Sequence, residues 1–128
     1  MLIIIAGAGR IGVGLAKNLR SENRDVVLLD NSAAAVKSAQ NIDALVLHGD
    51  VMDRAKLKMA GIHHANVFIA ATGADERNLL ACAMARHEFS QNGNPAEDLL
   101  TICQVSDPDL VQESKDGLLR EWGGGDYA

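Results

Sequence analysis

The sequence predicts an α/β fold, a doubly wound parallel sheet with helices on both faces, from three observations. Short apolar runs alternate with helix-forming stretches along the 128 residues. The apolar runs are unbroken, which is how strands covered on both faces read. A glycine-rich turn stands between the first run and the first helix. Composition agrees, because 48% apolar residues with only 3% aromatics must build a core from Ala, Val, Leu and Ile, the usual filling of helix-covered parallel sheets. The length suits a single domain and leaves no room for a separate substrate-binding one.

Each element has a local reason. Leu2, Ile3, Ile4, Ile5 and Ala6 form the first strand, and Gly7, Gly9 and Gly12 follow at the G-x-G-x-x-G spacing before a helix over Arg10–Ser21. In this pattern the first glycine permits the tight turn, the second lets a pyrophosphate approach the backbone, and the third lets the helix pack closely. The helix then presents its unpaired first-turn N–H groups and its positive dipole end to the anion. After the polar turn Glu22-Asn23-Arg24, Asp25–Asp30 reads as a buried second strand. Asn31 and Ser32 can cap a helix over 33–40, and 44–48 is a third strand ending at Gly49-Asp50. Asp53 caps the next helix, which stops at Gly61. A fourth strand over 66–71 leads through Thr72-Gly73 into a long helix over 75–89. Residues 90–95 are a polar loop, 99–105 a fifth strand, and Asp107-Pro108 open a last helix. Right-handed crossovers give the strand order 3-2-1-4-5, with the reversal between strands 1 and 4. Residues 7–12, Asp30, Asp50 and Thr72-Gly73 then fall immediately after strands 1 to 4, on the edge where such sheets bind ligands.

Several residues can carry chemistry there. Asp30 ends strand 2 at the position where an acid accepts hydrogen bonds from an adenosine ribose, and its charge would repel a 2′-phosphate. Neither Asn31 nor Ser32 supplies a cation beside it, so NAD or an adenosine nucleotide is expected rather than NADP. Asp50 reads either as a wall of the adenine end or as a plain turn residue. Arg10 reads as a phosphate ligand or as a solvated side chain. The stretch from Thr72 to Asn78 offers a hydroxyl, a flexible glycine and a helix start, with Asp75 as a possible cap.

Other functions are excluded or disfavoured. A net charge of −5 without any Lys/Arg cluster argues against nucleic acid and anionic membranes. Cys82 and Cys103 lack metal-ligand spacing and read as buried thiols in a reducing compartment, and His48, His63, His64 and His87 as solvated or structural. No metal site is expected. No apolar stretch is long enough to span a bilayer, so a cytoplasmic location is expected. Residues 79–85 are all apolar on one helix, which suits packing on the sheet with one side and on another subunit with the other.

Taken in series, Gly7-Ala8-Gly9-Arg10-Ile11-Gly12, Asp30, Gly49-Asp50, Ala60-Gly61-Ile62 and the run from Ala70 to Asn78 resemble the Rossmann-like RCK or KTN (TrkA-N-like) domain, which regulates potassium channels and transporters. The resemblance runs from Met1 to about Asp109. It implies a non-enzymatic cytoplasmic module that binds NAD(H) or ATP, ADP or AMP, assembles as a homodimer or higher ring, and acts on a potassium channel or transporter membrane subunit. By position, it implies that Gly7, Gly9, Arg10, Ile11 and Gly12 cradle phosphates and that Asp30, with Asn31 beside it, holds the ribose. Asp50 and Val51 would meet the adenine, and Ala71, Thr72, Gly73 and Asn78 would close the phosphate side. Two features depart from the family. Residues 90–98 form a longer loop, at the amino end of strand 5 and away from the cleft. The sixth strand is expected to be missing, the chain ending at Asp126-Tyr127-Ala128 where it should begin, as in a piece of a larger protein. The main alternative is a fragment of an NAD-dependent oxidoreductase, against which stands the lack of a Tyr-x-x-x-Lys pair or a second domain. An adaptor with an empty cleft is a third reading.

Overall fold

The computed structural model describes residues 1–107, Asp109 and the strand Asp126–Tyr127. Strands β1 (Leu2–Ala6), β2 (Asp25–Asp30), β3 (Leu45–His48), β4 (Val67–Ala70), β5 (Leu100–Cys103) and β6 (Asp126–Tyr127) form one sheet in the order β3-β2-β1-β4-β5-β6. Every neighbouring pair is parallel. The order of the first five is the expected one. The sixth is a difference: Asp126 and Tyr127 pair with Ile102 and Cys103, where the sequence reading ends at five strands. A two-residue strand is too short for its pattern to be read along the chain.

The helices are α1 (Arg10–Ser21), α2 (Ala33–Ser38), α3 (Arg54–Ala60) and α4 (Asp75–Gln91). Strand residues alternate between two cores. Ile4, Ala6, Val27, Leu29 and Phe68 pack with Leu57 of α3 and with Leu79, Cys82 and Phe89 of α4. Ile3, Ile5, Val26 and Leu28 pack on the other face with Ala16, Val13 and Leu19 of α1. This is why the β1 and β2 runs are unbroken, each fully buried Ile or Leu contributing about 1.5–3 kcal/mol. Ser32 and Asp53 cap α2 and α3 through the amides of Ala35 and Ala55, as their sequence positions suggest. Helix α4 is longer than expected, and Asp75 does not cap it; the N-cap is Ala74, which makes no side-chain hydrogen bond. The helix expected to open at Asp107-Pro108 lies largely outside the described residues.

The sheet register sets the functional edge. Ala6 pairs with Leu29 and with Ala70, so β1 and β4 end level and β2 runs one residue further, to Asp30. Pairing continues one residue further, Gly7 N–H donating to Leu29 O at 2.9 Å, Gly49 N–H to Asp30 O at 2.8 Å and Ala71 N–H to Ala6 O at 2.8 Å. Gly7, Asp30, Gly49 and Ala71 are thereby held side by side before any side chain is considered.

Candidate functional site

At this edge lies a cleft of about 420 Å³, lined by residues from the ends of β1, β2, β3 and β4. Of the expected site residues, Gly7, Gly9, Asp30, Asn31, Val51, Ala71, Thr72 and Gly73 line it. The others are placed differently. Arg10 and Ile11 begin α1 on the exposed surface, Gly12 is buried beneath them, Asp50 pairs with Arg77 at the cleft, and Asn78 is buried behind it.

The β1–α1 loop owes its shape to close backbone contacts. Gly7 has φ +122°, and a Cβ there would lie 2.4 Å from Ala71 O. A Cβ on Gly12 would lie 1.8 Å from Gly7 O. Gly9 is different: it is extended, with φ −83°, and a Cβ would meet nothing within 4 Å. It faces the open cleft, in the place where the motif brings an anion to the backbone. No side chain caps α1 and its first turn contains no acid, so its first-turn amides have no side-chain acceptor and its positive dipole end faces the cleft side of the loop.

Asp30 fastens this loop to the next. Its Oδ2 accepts the Ala8 N–H at 2.8 Å, and its Oδ1 accepts the Ser32 N–H at 2.8 Å. Each carboxylate oxygen retains a lone pair, so the side chain remains an acceptor toward the cleft while its position is fixed.

The β4–α4 loop is built from side chains. The Asn78 Oδ1 accepts the Thr72 N–H at 2.8 Å and the Thr72 hydroxyl. Its Nδ2 donates to Gln104 O at 2.9 Å and to Thr72 O at 3.3 Å. With 1% exposure Asn78 positions the loop and does not reach the cleft. Asp75 accepts the Ser106 and Asp107 amides at 3.0 and 2.8 Å, which hold its carboxyl below the usual range and tie α4 to the segment after β5.

Six cleft residues were missing from the expected site: Arg77, Ala6, Leu29, Ala35, Gly49 and Ala74. Arg77 had a signal, being a cation in the first turn of α4, where the helix dipole disfavours it unless an anion is near. That anion is Asp50, whose Oδ1 lies 2.6 Å from Arg77 Nη2 and also accepts the Met52 N–H at 2.9 Å.

Away from the cleft, Glu88 is 1% exposed and accepts from Arg54 Nε at 2.7 Å, with His63 Nε2 at 3.5 Å and Lys58 Nζ at 3.7 Å. The Arg54 hydrogen bond holds the Glu88 carboxyl below its ordinary range. His63 is thus a structural neighbour of an ion pair. Cys82 and Cys103 are free and buried, and their mutual hydrogen bond together with burial pushes the Cys82 thiol up. Among the described residues no His/Cys/Asp/Glu group suits a metal ion, and no helix is long and apolar enough to cross a membrane.

Residues 3–116 match the TrkA-N domain. The Trk system potassium uptake protein TrkA homolog of Pyrococcus horikoshii is 41% identical over 109 residues, covering 84% of this chain and 45% of that protein. The chain thus spans between about a quarter and a half of the length of the curated relatives it matches. Among solved structures, the GsuK channel bound to NAD aligns with a TM-score of 0.77 at 21% identity, over 98% of this chain and 21% of the channel chain. The AMP-bound Kef C-terminal domain of Shewanella denitrificans aligns with a TM-score of 0.65 at 23% identity, over 92% of this chain and 68% of that one. Both share the fold. With a match that spans most of its length, the chain belongs to the TrkA-N domain family.

Proposed function

We propose that this domain is a cytoplasmic sensor that binds NAD(H) or an adenine nucleotide and regulates a potassium channel or transporter, without catalysing turnover. The observation that carries the reading is the cleft itself, where an open glycine at the uncapped start of α1 faces the same space as the fixed carboxylate of Asp30. In this reading the Gly9 backbone and the first turn of α1 take phosphate, Asp30 takes ribose hydroxyls, and Val51 lies against the base. Gly73, where a Cβ would also meet nothing within 4 Å, keeps the opposite wall open. The NAD-bound channel and the AMP-bound C-terminal domain support this ligand class, and the TrkA homologs support a role in potassium transport.

Calorimetry with NAD, NADH, ADP and AMP tests the binding. Asp30→Ala should weaken the tightest of them by about 1.5–3 kcal/mol, the worth of a charge-assisted hydrogen bond. Unchanged affinity in a folded variant would remove Asp30 from the site. No steady formation of NADH is expected with small alcohols or hydroxy acids, and enzyme-dependent turnover would favour the oxidoreductase reading.

A sensor of this kind acts by favouring one subunit arrangement over another. In residues 79–85, Leu79, Ala81, Cys82 and Ala85 are buried in the chain's own core, while Leu80 is 47% exposed and Met84 half-buried one turn on. That outer stripe is the surface assigned here to a homodimer or ring. Sedimentation should show self-association weakened by Leu80→Glu, and a monomer at every concentration would end this assignment.

A further inference from the structure

We propose that Arg77 is the phosphate-reading side chain of the cleft, held by Asp50 until a nucleotide phosphate takes it over. This rests on the nucleotide reading above and specifies the ligand further: the cleft should prefer adenine nucleotides that carry phosphate over adenosine, and Arg77 should supply that preference.

Five observations carry the proposal. Arg77 lines the same cleft as Gly9, Asp30 and the 72–74 loop, so its guanidinium belongs to the wall a ligand would touch. Arg10, the expected phosphate arginine, stands on the exposed surface and does not line the cleft. The cleft also holds Asp30, with Asp50 beside it, so a polyanionic ligand entering it meets negative charge that some cation must offset. Arg77 makes its contact to Asp50 through Nη2, and among the described residues its Nε and Nη1 have no hydrogen-bond partner. Finally, the pair is half-exposed, with 35% and 45% of the two side chains accessible, and such ion pairs contribute little in water.

The chemistry follows from these positions. A guanidinium offers parallel N–H donors that match two phosphate oxygens, and a terminal phosphate carries more charge than one carboxylate. Asp50 therefore holds Arg77 at the cleft without holding it tightly. When the arginine moves, Asp50 keeps its hydrogen bond from the Met52 N–H, so the β3–α3 loop retains its turn. What is lost is the side-chain tie between that loop and the first turn of α4. Phosphate content is thereby converted into a change in how α4 is tethered.

The test compares ADP with adenosine by calorimetry on the unaltered chain, Arg77→Gln and Asp50→Asn. Arg77→Gln should lower the preference for ADP over adenosine about tenfold, with adenosine affinity within about twofold of the parent, as expected for loss of one charge-assisted contact. Asp50→Asn removes the competing acceptor charge and should raise that preference severalfold. An unchanged preference in folded Arg77→Gln overturns the proposal while leaving nucleotide binding intact. A preference that falls in Asp50→Asn makes Asp50 an aligning partner rather than a competitor, and overturns the hand-over. Absence of binding by both ligands and by NAD in the unaltered chain would overturn this proposal together with the nucleotide reading beneath it.

Discussion

The two loops that face each other across the cleft are shaped by different physics. The β1–α1 loop is shaped by backbone packing: Gly7 and Gly12 sit where a Cβ would overlap a carbonyl, and Asp30 fixes the loop from outside through the Ala8 amide. The β4–α4 loop is shaped by a buried side-chain network in which Asn78 satisfies both Thr72 and Gln104. A loop made by exclusion of side chains fails when atoms are added, and one made by hydrogen bonds fails when atoms are removed. Gly9 and Gly73 stand apart from both, since neither packing nor backbone conformation in the protein forbids a side chain there.

The largest effect should come from adding atoms to the first loop. Gly12→Ala places a methyl group 1.8 Å from Gly7 O, a backbone atom that cannot swing aside as a flexible side chain could. A loss of at least about 3 kcal/mol is expected, the range of severe overpacking, read from urea unfolding. A variant of parental stability would mean that the loop is far more pliable than its contacts indicate.

Removal of atoms from the second loop should cost less. Asn78→Ala leaves the Thr72 N–H and the Gln104 carbonyl without their partner in a buried place, for about 1–3 kcal/mol. If the comparison is right, hydrogen exchange should then rise in residues 72–74 and not in residues 7–9.

A smaller effect tests an ion pair away from both loops. The Glu88 carboxyl is held below its usual range, so its contribution is full above the unfolded carboxylate pKa of about 4.3 and is lost as pH falls through the lower folded value. Glu88→Gln should cost about 1 kcal/mol at pH 7 and flatten the decline in stability below about pH 4. An identical acid decline in both proteins would remove Glu88 from the acid response.

The smallest change in stability should attend Gly9→Ala, within about 0.5 kcal/mol, because the methyl group enters open space. Nucleotide affinity should nonetheless fall about tenfold if the backbone at Gly9 is where phosphate approaches. Equal affinity would move the phosphate elsewhere along the cleft.

The sequence by itself determined the order of β1 to β5, the double-sided burial of β1 and β2, and the arrival of residues 7–12, Asp30, Asp50 and Thr72-Gly73 at one edge. These follow from local pattern and from connection rules, since an unbroken apolar run and a right-handed crossover need no knowledge of distant side chains. Only the tertiary structure decided which site residues face the cleft. Asn78 belongs to the same short stretch as Thr72, yet its carboxamide is turned inward by the Gln104 carbonyl, twenty-six positions away along the chain. Arg77, its immediate neighbour, is drawn to the cleft by Asp50, twenty-seven positions before it. Adjacent helical residues diverge by about a quarter of a turn, and which of them meets a partner is set by elements that the chain brings together only on folding.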